Sequence, residues 1–218
     1  MSDIFQEVDE DVRRDKAIEY WNKNQNKIIA VCAAIILATA GFRFYRYERE
    51  IAAQNAGAAF QQALTLDQDG KSKEAAAAFA AIATDAPSGY QTLARLAKAA
   101  SLSAVDPKAA LAAYDGIAND ASVDPLLAQA AKLRAAMIRL DNGEADQGAK
   151  DLEALATAGA PYRNTAREAL GALALQKGEF AAAGKWLDAI VSDADAPAAA
   201  KQRAESLLGF VASNSPAK

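Results

Sequence analysis

The sequence predicts an all-α protein: a single N-terminal transmembrane helix, then an α-solenoid of about four helical hairpins plus a closing helix. Three observations carry this. One uninterrupted apolar run, Ile28 to Phe42, lies near the start between Lys27 and Arg43. From Ala52 onward the chain is dense in Ala and Leu and low in Val and Thr, a composition that favours helices over strands. Helix stops then recur at a nearly constant interval, with Pro87, Pro125, Pro161 and Pro197 spaced by 38, 36 and 36 residues.

Residues 1–26 form an acidic, partly amphipathic lead, expected on the cytoplasmic side. Ile4, Val8 and Val12 fall four apart, so a short helix would present one apolar stripe to a cytosolic partner. A second reading stands beside it. Asp3, Glu7, Asp9, Glu10, Asp11 and Asp15 give the segment the charge density of a chain that stays disordered.

Residues 27–46 are the expected anchor. The apolar run alone is 15 residues, short of the roughly 20 that a helix rising about 1.5 Å per residue needs to cross a hydrocarbon core. Its flanks extend it. Lys27 and Arg43 can lay their stems along apolar surface with their charges at the headgroups, and Trp21, Phe44, Tyr45 and Tyr47 supply interfacial rings. A buried core helix would not need apolar residues around its whole circumference. A cleavable signal peptide is the rival, because Ala38-Thr39-Ala40 resembles a cleavage site, but the preceding region is long and acidic rather than short and basic. Arg13-Arg14 and Cys32 are weak signs of twin-arginine export and lipidation. Lys and Arg close to the span are five before it (Arg13, Arg14, Lys16, Lys23, Lys27) and three after it (Arg43, Arg46, Arg49), which favours the N-terminus inside. The anchor then partners the lipid bilayer, with the C-terminal domain on the outer side.

Residues 47–213 are the expected repeat domain and 214–218 a disordered tail. An apolar pair three residues apart repeats in register, as Phe79/Ile82, Tyr114/Ile117, Leu152/Leu155 and Leu187/Ile190. Breaks at Asp69-Gly70, Asp106-Pro107, Asn142-Gly143 and Lys177-Gly178 divide each unit into two helices, and a closing helix covers about 195 to 213. Each unit buries its apolar face on its neighbour.

Composition narrows the function. The chain has no histidine and one cysteine, Cys32, inside the span. Intrachain disulfides, the usual Cys/His zinc sites and any Ser-His or Cys-His nucleophile are thereby excluded. No phosphate-binding glycine motif or metal loop occurs, so no cofactor is expected. A formal net charge of -4 with interspersed signs leaves no footprint for nucleic acid. Glu with Lys or Ser with Lys can do chemistry without histidine, and the expectation is a protein that is not an enzyme.

Small residues fall where paired helices cross closely: Ala63, Ala136 and Gly171 on first helices, and Ala75, Ala110, Gly148 and Ala183 on second helices. With Leu170-Gly171 and Pro87, these resemble the tetratricopeptide pattern. Lys98 departs from it, standing where the second unit needs a small residue, and most of the large aromatics of a strong match are missing. Taken with the acidic lead from Asp3 to Arg14, Trp21, the anchor and its basic-aromatic exit, the architecture resembles the YfgM-type family of bacterial membrane-anchored proteins, ancillary subunits of the Sec translocon. That resemblance implies an inner-membrane protein whose TPR-like periplasmic domain works beside the SecYEG channel and a membrane-anchored prolyl-isomerase-like chaperone. It implies a role for exported polypeptides at the channel exit and no catalytic residues. The other reading is a scaffold of a different envelope complex, for division or respiratory assembly, that binds no client.

First helices of stacked pairs line the inner side of such an array. Projecting the register gives Phe60, Leu64, Arg95, Leu102, Leu133, Met137, Leu140 and Leu175 as candidate partner-binding residues. A mostly apolar wall with one flexible Met suits segments of little sequence preference. Leu and Met at helical spacing are equally the signature of core. Lys71, Lys73, Glu74, Arg134 and Arg139 read as solvated faces, and Trp186 as packing between repeats.

Overall fold

The computed structural model describes residues 3–214, with the side chains of residues 3–12 and of Ile28 left out. Among the described residues every element is helical: α1 Asp3–Gln68, α2 Ser72–Asp85, α3 Ser88–Ser103, α4 Pro107–Ala118, α5 Pro125–Asp141, α6 Ala145–Leu155, α7 Arg163–Gln176, α8 Phe180–Val191 and α9 Ala198–Asn214. The backbone of the lead is helical from Asp3; its apolar stripe and the tail beyond Asn214 lie outside the described side chains and residues. The chain divides into two compact units between Gln54 and Asn55.

In the first unit the apolar run sits on α1. The part of α1 over Ile29–Gln68 contains an 18-residue window of mean hydropathy 1.5, none of it buried, which is long and apolar enough to cross a membrane. Ile35, Ile36 and Leu37 are all exposed. A contiguous exposed apolar surface of this kind marks a membrane- or partner-facing segment.

The second unit begins with the C-terminal part of α1 and alternates first and second helices. Two kinds of turn join the helices of a pair. At Gly70, Gly143 and Gly178 φ is +79°, +86° and +74°, the left-handed conformation that favours glycine. The next N–H then reaches back to the carbonyl five residues earlier, as in Lys71 to Leu66, Glu144 to Arg139 and Glu179 to Ala174. The α3–α4 turn uses another device: the Asp106 carboxylate accepts from the Ala109 N–H while Pro107 occupies the first helical turn. Asp124 and Pro125 repeat this at the start of α5, between pairs.

Packing follows chain order. Four hydrophobic clusters succeed one another: Ala63, Ala75, Phe79, Ile82 and Ala94; then Ala99, Tyr114, Ile117, Val123, Ala131 and Ala135; then Leu133, Ala136, Leu152, Leu155, Ala156, Ala166 and Leu170; then Ala174, Ala183, Leu187, Ile190, Ala196, Ala200, Ala204 and Val211. All four expected apolar pairs are buried in them. Helices α3, α5 and α7 each contribute to two successive clusters, which is what ties neighbouring pairs together. Alanine at most contact positions lets the backbones approach. Gly148 and Gly171 mark close crossings of paired helices: a Cβ on Gly148 would lie 2.8 Å from the Ala136 carbonyl oxygen, and one on Gly171 would lie 3.1 Å from the Leu187 side chain. Lys98, where a small residue was expected, is half-buried.

Arginines join helices at the surface. Arg139 on α5 bridges Asp115 on α4 (2.6 Å) and Asp151 on α6 (3.0 Å). It is therefore a clamp rather than part of a solvated face. Arg203 on α9 pairs with Glu168 on α7 at 2.6 Å.

A cleft between successive first helices

One face of α5 carries Arg134, Met137, Ile138 and Asp141, the i, i+3, i+4, i+7 spacing of a single helix face. The corresponding face of α7, 35 residues later, carries Ala169, Ala172, Leu173 and Gln176, and α3 contributes Ala100 and Ser103. These faces, with Leu140 and the ring of Tyr114 from α4, enclose an open cleft of about 850 Å³. Its middle is apolar, through Met137, Ile138, Leu140 and Leu173. Its ends are polar: Arg134 at one end of the α5 face and Asp141 at the other, both exposed and neither in an ion pair among the described residues. Burial pushes the Tyr114 phenol above its ordinary value, against the opposing pull of Arg134 and a hydrogen bond with Ser103. The hydroxyl thus remains a neutral donor at neutral pH.

Of the eight residues projected from the sequence, the structure brings Met137 and Leu140 into this cleft. Leu133 is buried among Ala136, Leu152 and Leu170 and is core. Phe60 and Leu64 pack on the first cluster, Phe60 with ring centroids 5.1 Å from Phe79 and 6.3 Å from Tyr90. Leu175 packs on the last cluster. Leu102 is half-buried beside the cleft without lining it. Arg95 is engaged elsewhere, donating to Asp120 at 2.7 Å and to the Gly116 carbonyl at 3.4 Å. The hydrogen bonds from Ser122, the largest influence, and from Arg95 hold the Asp120 carboxyl down at about 2. Trp186 packs, half-buried, against the third cluster.

Arg134, Ile138, Leu173 and the alanines escaped the sequence projection because it followed single register positions on each first helix rather than whole helix faces. The signal that finds them is the 35-residue offset applied to whole faces, which carries Arg134, Met137, Ile138 and Asp141 onto Ala169, Ala172, Leu173 and Gln176. No group of three or more acidic or Cys residues able to hold a metal occurs among the described residues.

Comparison with known proteins agrees with the repeats. No curated protein and no solved structure matches the chain. The family profile described as "Tetratricopeptide repeat-like domain" matches residues 18–205, so it takes in the apolar stretch of α1 as well as the helical pairs. With most of its length matched in this way, the chain belongs to the tetratricopeptide repeat-like domain family, whose members act as protein–protein interaction modules.

Proposed function

We propose that the protein is a membrane-anchored interaction module that receives an apolar segment of a partner chain in the cleft of α3, α5 and α7. The observation that carries this is the repetition of one helix face across successive first helices, with an apolar middle and unpaired polar ends. Stacked as an α-solenoid, the pairs would present this cleft on their inner side. The apolar stretch of α1 would hold the module at a bilayer, with the lead cytoplasmic and the repeats periplasmic. The resemblance to YfgM-type proteins supports the bacterial inner membrane as the site, SecYEG and a membrane-anchored prolyl-isomerase-like chaperone as neighbours, and exported polypeptides as occupants of the cleft.

Photo-crosslinking in membranes tests it. A crosslinking side chain at Ala172, in the cleft, should capture partner chains, and one at the exposed Glu153 on α6 should not. Adducts with many exported chains support the client reading. A single stoichiometric adduct from Ala172 would instead make the protein a scaffold, and equal capture at both positions would remove the cleft as the contact surface.

A further inference from the structure

The two ends of the apolar run differ. Lys23 and Lys27 precede it, four residues apart, whereas Arg43, Arg46 and Arg49 follow it at i, i+3 and i+6. At 100° and about 1.5 Å per residue, these three cations occupy about 120° of the helix circumference and about 9 Å of its length. Phe42 and Tyr45 share that face. The Arg46 guanidinium carbon lies 5.9 Å from the Phe42 ring centroid and that of Arg49 lies 5.6 Å from Tyr45, whose hydroxyl accepts from Arg49 Nη1 at 3.5 Å. Glu50 stands four residues after Arg46, at pairing distance in sequence, yet no ion pair to any of the three arginines occurs among the described residues.

Helical side chains lean toward the N-terminus. At this end of the span that direction is toward the apolar run, so the guanidinium groups are carried back to its rim instead of out into water. The 15-residue run covers only about 22 Å against a hydrocarbon core of about 30 Å, which draws the adjoining leaflet's headgroups down around the following turns. Unpaired guanidinium forks then meet phosphodiester oxygens, a geometry arginine matches with paired hydrogen bonds. The rings hold the helix at that depth.

We propose that Arg43, Arg46 and Arg49, with Arg46 stacked on Phe42 and Arg49 on Tyr45, form a binding site for the headgroup phosphate of an anionic phospholipid. The inference rests on the membrane reading of α1. Full-length protein is reconstituted in nanodiscs with equal phosphatidylcholine and phosphatidylglycerol of identical chains, then released for native mass spectrometry, and the retained lipids are counted. Each guanidinium near the surface contributes about fivefold preference for an anionic lipid, so phosphatidylglycerol should dominate the retained lipid. Arg46→Gln with Arg49→Gln should lower that preference by about 25-fold, and Lys27→Gln should leave it high. Equal retention of both lipids by the parent, or an unchanged preference in the double variant, overturns the site. Loss of the preference with Lys27→Gln alone also overturns it, by moving it to the other leaflet. Failure of the protein to enter the discs at all would instead sink the membrane reading.

Discussion

Gly148 and Gly171 both stand where backbones cross closely, but their obstacles differ in kind. Alanine in a helix interior normally gains about 0.5–1 kcal/mol over glycine. At position 148 the added methyl meets a backbone carbonyl at 2.8 Å, which cannot rotate away. Gly148→Ala is therefore expected to cost about 1–3 kcal/mol in denaturant unfolding of the detergent-solubilised protein. Gly171→Ala faces only the Leu187 side chain at 3.1 Å and should be much milder, while Gly171→Leu, which cannot fit beside Leu187, should again cost about 1–3 kcal/mol. Ser101 makes the opposite case. Its hydroxyl is buried on α3 without a hydrogen-bond partner. Ser101→Ala should raise stability by about 1 kcal/mol, since the desolvation cost of the hydroxyl disappears; a loss of stability would show that the hydroxyl is satisfied in solution.

The loop between α8 and α9 is held by charge. Asp193 accepts from Arg163 at the start of α7 and from Arg167 one turn on, and Arg167 also donates to the Ala189 carbonyl at 3.0 Å. The Arg163 hydrogen bonds hold the Asp193 carboxyl well below its ordinary value of 3.8. A carboxyl depressed in the folded state contributes stability above its ordinary value and loses it as pH falls toward the folded one. Acid titration of the parent should therefore loosen the α7–α9 region below about pH 4, read as hydrogen exchange of α9, and Asp193→Asn should show that looseness already at neutral pH. These elements also show what the sequence made legible. The buried pairs from Phe79/Ile82 to Leu187/Ile190 and the Gly70, Gly143 and Gly178 turns were readable because large apolar residues and left-handed glycines leave local marks. The Asp193 clamp was not, because its partners stand 26 and 30 residues away. Nor was the cleft as a whole: its alanine walls carry no mark of their own, and the Leu133 side chain that resembled a contact points into core because α5 faces two clusters at once.

At the scale of the whole molecule, α9 is the last described helix and lays Ala200, Ala204 and Val211 on the last cluster. Removing it from Ala198 onward would uncover Leu187 and Ile190, both fully buried. Arrays of this kind need a terminal cap to stay soluble, so the shortened protein in detergent should self-associate in sedimentation velocity while keeping the helicity of its earlier pairs. Persistence as a monodisperse species would mean that α9 is dispensable. The succession of four clusters, each built from neighbouring stretches of chain, bears also on time. No cluster waits for a residue far along the sequence, so each closes once the next helix has been supplied. A chain delivered N-terminus first would acquire its structure in the same order, Phe79 enclosed before Ile117, Ile117 before Leu152 and Leu152 before Ile190. Low separation between contacting residues makes each closure fast. The domain thus has the layout of a protein able to fold progressively while its own synthesis continues.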